Sequence, residues 1–145
     1  VKNLILFFLP LLVIACGSSE NEAFLPEEPA YTCDNCDTAV LIGTWRLTEF
    51  YSDPGDGSGT YQVVESEKEI TFSDIGTWTS NGNLCGFSPD AGPGSLGSYV
   101  PVTNNMLVAN CNFDPIRGYQ LQNGRFTIIY ACIEGCGERY RKIRD

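Results

Sequence analysis

The sequence predicts an all-β domain over residues 40–145, an antiparallel sheet of about eight strands rolled into a barrel or folded into a sandwich. Three observations predict it. Short segments that alternate apolar and polar residues follow one another from Val40 onward, and clusters of Gly, Pro, Asn and Asp separate them. No apolar stripe of helical period follows Cys16. No run repeats at a fixed spacing, which excludes a solenoid. Closure favours the barrel over the sandwich, because it removes the sheet edges that an exported β protein must otherwise protect.

The first element is not part of that domain. VKNLILFFLPLLVIAC holds one basic residue, Lys2, and an unbroken apolar run from Leu4 to Ala15. As a helix that run reaches about 18 Å, against a hydrocarbon core about 30 Å thick, so it describes a secretory leader rather than a membrane span. Val13-Ile14-Ala15-Cys16 resembles a bacterial lipobox. The resemblance implies a leader at residues 1–15, cleavage before Cys16, and acylation of that cysteine. Several acyl chains anchor stably where one does not, since each buried methylene contributes about 0.8 kcal/mol. The acidic, Pro-containing stretch at residues 16–39 then reads as a lipidated tether. Its acidic residues do not resemble the aspartate signal that retains lipoproteins in an inner membrane, so the expected location is the outer membrane, periplasmic or surface-exposed.

The strands come next. VLIGTWRLTEFYS places Leu41, Gly43, Trp45 and Leu47 on one side and Thr44, Arg46 and Thr48 on the other. SDPGDGSG is a loop by its local signals. TYQVVES and KEITFSD follow, with Ile70 and Phe72 on a shared face, and GTWTSNG ends in Asn-Gly. SPDAGPGSLGS, residues 88–98, is too rich in Gly, Pro and Ser for regular structure and reads as a long loop. YVPVT and NMLVANCNF form a hairpin around Asn104-Asn105. GYQLQ and RFTIIYACI form another around Asn123-Gly124, a pair suited to a type I′ turn. CGERYRKI closes the chain.

Composition excludes several functions. The 145 residues carry a net charge of −9, and losing Lys2 with the leader makes it −10, which argues against nucleic acid and against electrostatic docking on anionic lipid. The chain has no histidine, which removes the commonest general base and metal ligand. Asp53, Asp56 and Asp74 sit beside turn residues, where side-chain caps explain them without catalysis. No enzyme, cofactor or metal site is therefore expected.

Six cysteines remain beyond Cys16: Cys33, Cys36, Cys85, Cys111, Cys132 and Cys136. In an exported chain they read as disulfides, with 15 possible connectivities. The spacings C-D-N-C and C-I-E-G-C also fit a four-thiolate zinc site, and C-D-N-C alone a redox motif, but those belong to other compartments and settings. Proximity ranks Cys132–Cys136 first, across the connection before the last strand. Cys85–Cys111 between neighbouring strands follows, and Cys33–Cys36 is the remainder.

GTWRL resembles the G-x-W signature on the first strand of lipocalins. The order LIGTWRL, EITF, GTWTSNG and ERYRKI is similar to the lipocalin-like domain of small bacterial lipoproteins, across residues 41–143. The resemblance implies a small up-and-down barrel whose base Trp45 plugs, with Arg139 or Arg141 as its cationic partner and Gly43 giving room for the approach. The domain departs from the family in its short length, its missing final helix and its extra cysteines.

A barrel of that kind can hold a small apolar ligand, and Ile70, Phe72, Trp78, Tyr119, Leu121, Phe126, Ile128 and Tyr130 are the residues expected to face it. It can equally be filled by its own side chains. In that case the loops at 52–59 and 88–98 would make it an interaction or inhibitor module for an envelope protein.

Overall fold

The computed structural model describes residue 37 and residues 39–145. Cys16, Cys33, Cys36 and the leader lie outside the described residues. Nine strands form: β1 Gly43–Ser52, β2 Tyr61–Val63, β3 Glu69–Phe72, β4 Thr77–Ser80, β5 Ser95–Val100, β6 Asn105–Val108, β7 Ile116–Gln122, β8 Arg125–Tyr130 and β9 Cys136–Arg144. The only helix among the described residues is a single 3-10 turn, Pro101–Thr103. Every pairing is antiparallel between sequence neighbours from β3 to β9, and β9 returns to pair with β1. The result is a closed up-and-down barrel of small lipocalin-like form.

Eight strands complete the circuit, and β2 is the extra one. It pairs with the distal half of β1, Glu49 to Tyr51, while β3 pairs with the proximal half, Gly43 to Arg46. The amide of Val64 still donates to the Thr48 carbonyl and that of Leu47 to the Lys68 carbonyl, so residues 65–67 leave the ladder between them. This interruption carries Lys68 to the loop end.

Two segments depart from the sequence expectation: Pro101–Thr103, read as part of a strand, is the 3-10 turn, and the second lies just before it. The Gly/Ser-rich run at 88–98 is not all loop, because β5 begins inside it at Ser95 and pairs with both β4 and β6. Gly97 explains the misreading. A Cβ there would collide with the Leu107 carbonyl oxygen and lie 2.8 Å from Trp78 Cζ2, so this glycine permits close strand packing rather than a turn.

A bulge in β1 sorts the side chains. The β1–β9 register shifts between Leu47 and Glu49. Trp45 and Leu47 therefore enter the core, whereas beyond the bulge Phe50 turns inward against Phe87 and Glu49 turns outward to Arg125 and Arg139. Inside, Phe126 forms the hub: its ring centroid lies 5.1 Å from Phe72, 5.6 Å from Tyr140, 5.8 Å from Tyr119 and 5.9 Å from Trp45.

The two ends of the barrel differ. At the base lie the short connections, 73–76, 101–104 and 123–124, together with the segment leading into β1 and the end of β9. Trp45 closes this end, its indole Nε1 donating to the Leu41 carbonyl at 2.7 Å. The cation beside it is Lys142, 5.6 Å from the ring centroid, rather than Arg139 or Arg141. Strand alternation is the reason. Glu138, Tyr140 and Lys142 point inward on β9, so Arg139 and Arg141 emerge on the outer face, where Arg139 lies 3.5 Å over Tyr61. Lys142 Nζ also donates to the carbonyls of Asp37 at 2.6 Å and Val40 at 3.2 Å, clamping the incoming chain.

Gly43 sits at this clamp with φ of +118°, and a Cβ there would lie 2.5 Å from the Arg144 carbonyl and 2.7 Å from Lys142 Cε. Gly43→Ala is expected to cost about 1–3 kcal/mol of unfolding free energy, read from urea titration as a lower midpoint. An unchanged midpoint contradicts the role of Gly43 in base closure.

Candidate functional site

The long connections gather at the opposite end: 53–60, 81–94, 109–115 and 131–135. Each is tied down by its own side chains. In the first, the Asp53 carboxylate accepts from the amides of Gly55 at 2.7 Å, Gly57 at 3.1 Å and Gly59 at 3.2 Å, and from the Tyr51 hydroxyl at 3.3 Å. These bonds, led by that from Gly55, hold the Asp53 carboxyl below its ordinary value. Asp56 Oδ1 caps the amide of Ser58 at 2.9 Å. Both acids therefore act as loop caps.

The second and third connections are joined by Cys85–Cys111, with Cα atoms 5.3 Å apart, and the fourth is closed by Cys132–Cys136 at 5.8 Å. Both pairings match the sequence ranking, although Cys85 and Cys111 lie in connections rather than on strands. These four sulfurs are consumed as cystines, which removes them from any thiolate zinc site.

Arg117, buried on β7, reinforces the disulfide. Its guanidinium donates to the carbonyls of Leu84 at 3.2 Å, Cys85 at 2.8 Å, Asp114 at 2.5 Å and Ile116 at 3.0 Å. One cation thus holds two loops through their backbones. It also lies 5.3 Å from the Tyr130 ring centroid.

Below these loops sits a charged pair with no access to water. Lys68 Nζ donates to Glu138 Oε1 at 2.8 Å and Oε2 at 3.0 Å, and to the carbonyls of Ser88 at 2.8 Å and Asn83 at 3.2 Å. Glu138 Oε2 accepts from the hydroxyls of Tyr130 and Tyr140. Loss of water pushes the Lys68 ammonium below its ordinary value, opposed by the Glu138 charge. Burial first, then Glu138, pushes both phenols well above theirs. Ser66 completes the seal by donating to the Pro89 carbonyl.

Of the residues expected to face a ligand, Ile70, Phe72, Trp78, Tyr119, Phe126, Ile128 and Tyr130 are buried and packed on one another, and Leu121 is partly buried against them. What the loop end exposes is different. Phe113 is 88 % exposed and Ile133 is 98 % exposed, each beside a cystine. A groove of about 570 Å³ runs along Cys85–Cys111, between Asn83 and Pro93 on one side and Asn110 and Asn112 on the other, with Phe113 on its rim.

Sequence reasoning missed Lys68, Glu138, Arg117, Phe113 and Ile133. A signal existed for Glu138, since two-residue alternation from Tyr140 places it on the inward face. None existed for the two exposed apolar residues, whose type ordinarily marks a core. Neither a protein-family model, nor a curated protein, nor a solved structure matches the chain.

Two expectations follow from the buried network. Lys68→Met leaves an uncompensated carboxylate and should cost about 3–5 kcal/mol, while Lys68→Met with Glu138→Gln should cost less than the single change, because no lone charge remains. Strictly additive losses in urea titrations contradict the coupling. The phenols give a pH signature. With folded values raised above about 10, the stability they contribute is complete below that pH and is lost as pH climbs toward the folded values, because the unfolded chain releases protons the barrel keeps. Phenolate absorbance should show Tyr130 and Tyr140 silent until alkaline unfolding. Their titration in the native state contradicts this.

Proposed function

We propose that this chain is a non-catalytic envelope lipoprotein, acylated on Cys16 at the outer membrane, whose filled barrel presents its loop end to a protein partner. The lipobox at residues 13–16 supports the anchor, and the order of LIGTWRL, EITF, GTWTSNG and ERYRKI supports kinship with lipocalin-like domains of small bacterial lipoproteins. The observation that carries the interaction reading is Phe113, exposed on a loop held by the Cys85–Cys111 cystine and by Arg117. An exposed aromatic side chain on a loop whose backbone is already constrained leaves less chain to order on binding, the property of an interface anchor. The neighbouring groove offers room for a partner's segment.

The filled interior favours this reading over a ligand carrier. A ligand in the barrel would have to displace Phe126 from four rings or break the Lys68–Glu138 pair.

The test is photo-crosslinking in intact cells with p-benzoylphenylalanine at position 113, at 133, or at 129 on the outer face of β8. A discrete protein adduct from 113 or 133 and none from 129 is the expected result. No adduct from either loop position, or equal smears from all three, overturns the proposal.

A further inference from the structure

The barrel's two ends also differ in charge, and both expose apolar side chains. At the base, Ile75 in the β3–β4 turn is 81 % exposed and Val102 in the β5–β6 connection is 93 % exposed. The end of β5, which leads into the second connection, is bonded to the first turn: the amide of Tyr99 donates to the Gly76 carbonyl and its hydroxyl to that of Ser73. Val40 and Ile42, on the segment that enters β1, are exposed at the same end.

Charge follows the same axis. Every cation among the described residues that is not buried lies on the outer faces of β1, β8 and β9: Arg46, Arg125, Arg139, Arg141 and Arg144. Arg125, Arg141 and Arg144 stand closest to the base, paired in register or at the end of β9. The loop end is the reverse. Asp56, Asp90, Asp114 and Glu134 are exposed there, while its two cations, Lys68 and Arg117, are buried. The base is nearly balanced rather than cationic, since Asp37, Asp74 and Asp145 are exposed there and Glu69 pairs with Arg144, so a bilayer with anionic headgroups repels the loop end more than the base.

The chain reaches the barrel at the base, where Lys142 grips the carbonyls of Asp37 and Val40. The chain that bears Cys16 therefore joins the barrel at that end. We infer that the base is a lipid-contact surface: the barrel stands on the bilayer that holds its acyl chains, with Ile75 and Val102 seated in the interface and the cystine-bound loops directed away. The inference rests on the proposed acylation of Cys16. Apolar tips of this size add to an anchor without replacing it. The orientation also leaves Phe113 and Ile133 facing outward, free for a protein.

The experiment uses the full chain purified from envelopes and reconstituted into vesicles of phosphatidylethanolamine and phosphatidylglycerol. Val102→Trp and Ile133→Trp each add one exposed indole to Trp45 and Trp78, which are buried. The expected result is that lipid brominated near the headgroup quenches the Val102→Trp increment and shifts its emission to shorter wavelength, while the Ile133→Trp increment stays as in water. A Val102→Trp increment that stays as in water, or quenching of the two variants to the same extent, overturns the lipid-contact surface. Intact mass of the same sample separates the two ideas: a chain without acyl groups overturns the anchor and the inference together, whereas an acylated chain with an unquenched Val102→Trp overturns the inference alone.

Discussion

An ammonium and a carboxylate without access to water can coexist only when nearly all of their donors and acceptors are matched, and the loop end is organised around meeting that condition for Lys68 and Glu138. The match draws on distant parts of the chain. Glu138 comes from β9, the hydroxyls from β8 and β9, and the carbonyls of Asn83 and Ser88 from the connection between β4 and β5. That connection is thereby pulled across the barrel, and Phe87 follows it to stack on Phe50 at 3.9 Å. A hydrophobic replacement of similar volume would fill the space but would not hold the loop backbone.

The register of β1 makes the pair geometrically possible. Among the described residues β1 alone pairs with three other strands, and its bulge at Thr48 lets a single continuous strand present Trp45 to the base core and Phe50 to the loop-end core. Opposite the bulge the ladder lets go of residues 65–67, which brings Lys68 into reach of Glu138. The same change of face sends Glu49 outward between Arg125 and Arg139, so one irregularity organises both surfaces of the sheet.

Division of labour between the ends follows. The base has short turns and a backbone clamp on the incoming chain. The loop end has the long connections, two cystines and a buried arginine, and it displays exposed apolar side chains. Its connections carry extra chain without fraying because the constraints are backbone-directed: Asp53 binds amides and Arg117 binds carbonyls. Such a surface tolerates side-chain variation while keeping its shape.

Much of the fold was legible in local pattern. Two-residue alternation marked the strands, Asn123-Gly124 marked a hairpin, and spacing ranked both described cystines. The main exception was β5, where glycine serves packing against Trp78, a reason no local window contains. The site was far less legible. Alternation puts Glu138 on the face of Tyr140, but it does not say that a lysine seventy residues upstream would share the Glu138 carboxylate. Nor did it tell that Phe113 and Ile133 stay in water while Lys68 does not. By itself the sequence determined the all-β class and the strand order, because these depend on neighbours along the chain. The partner of Glu138, the cation beside Trp45 and the exposed tips were decided only by the tertiary structure, because they depend on which strands closure brings face to face.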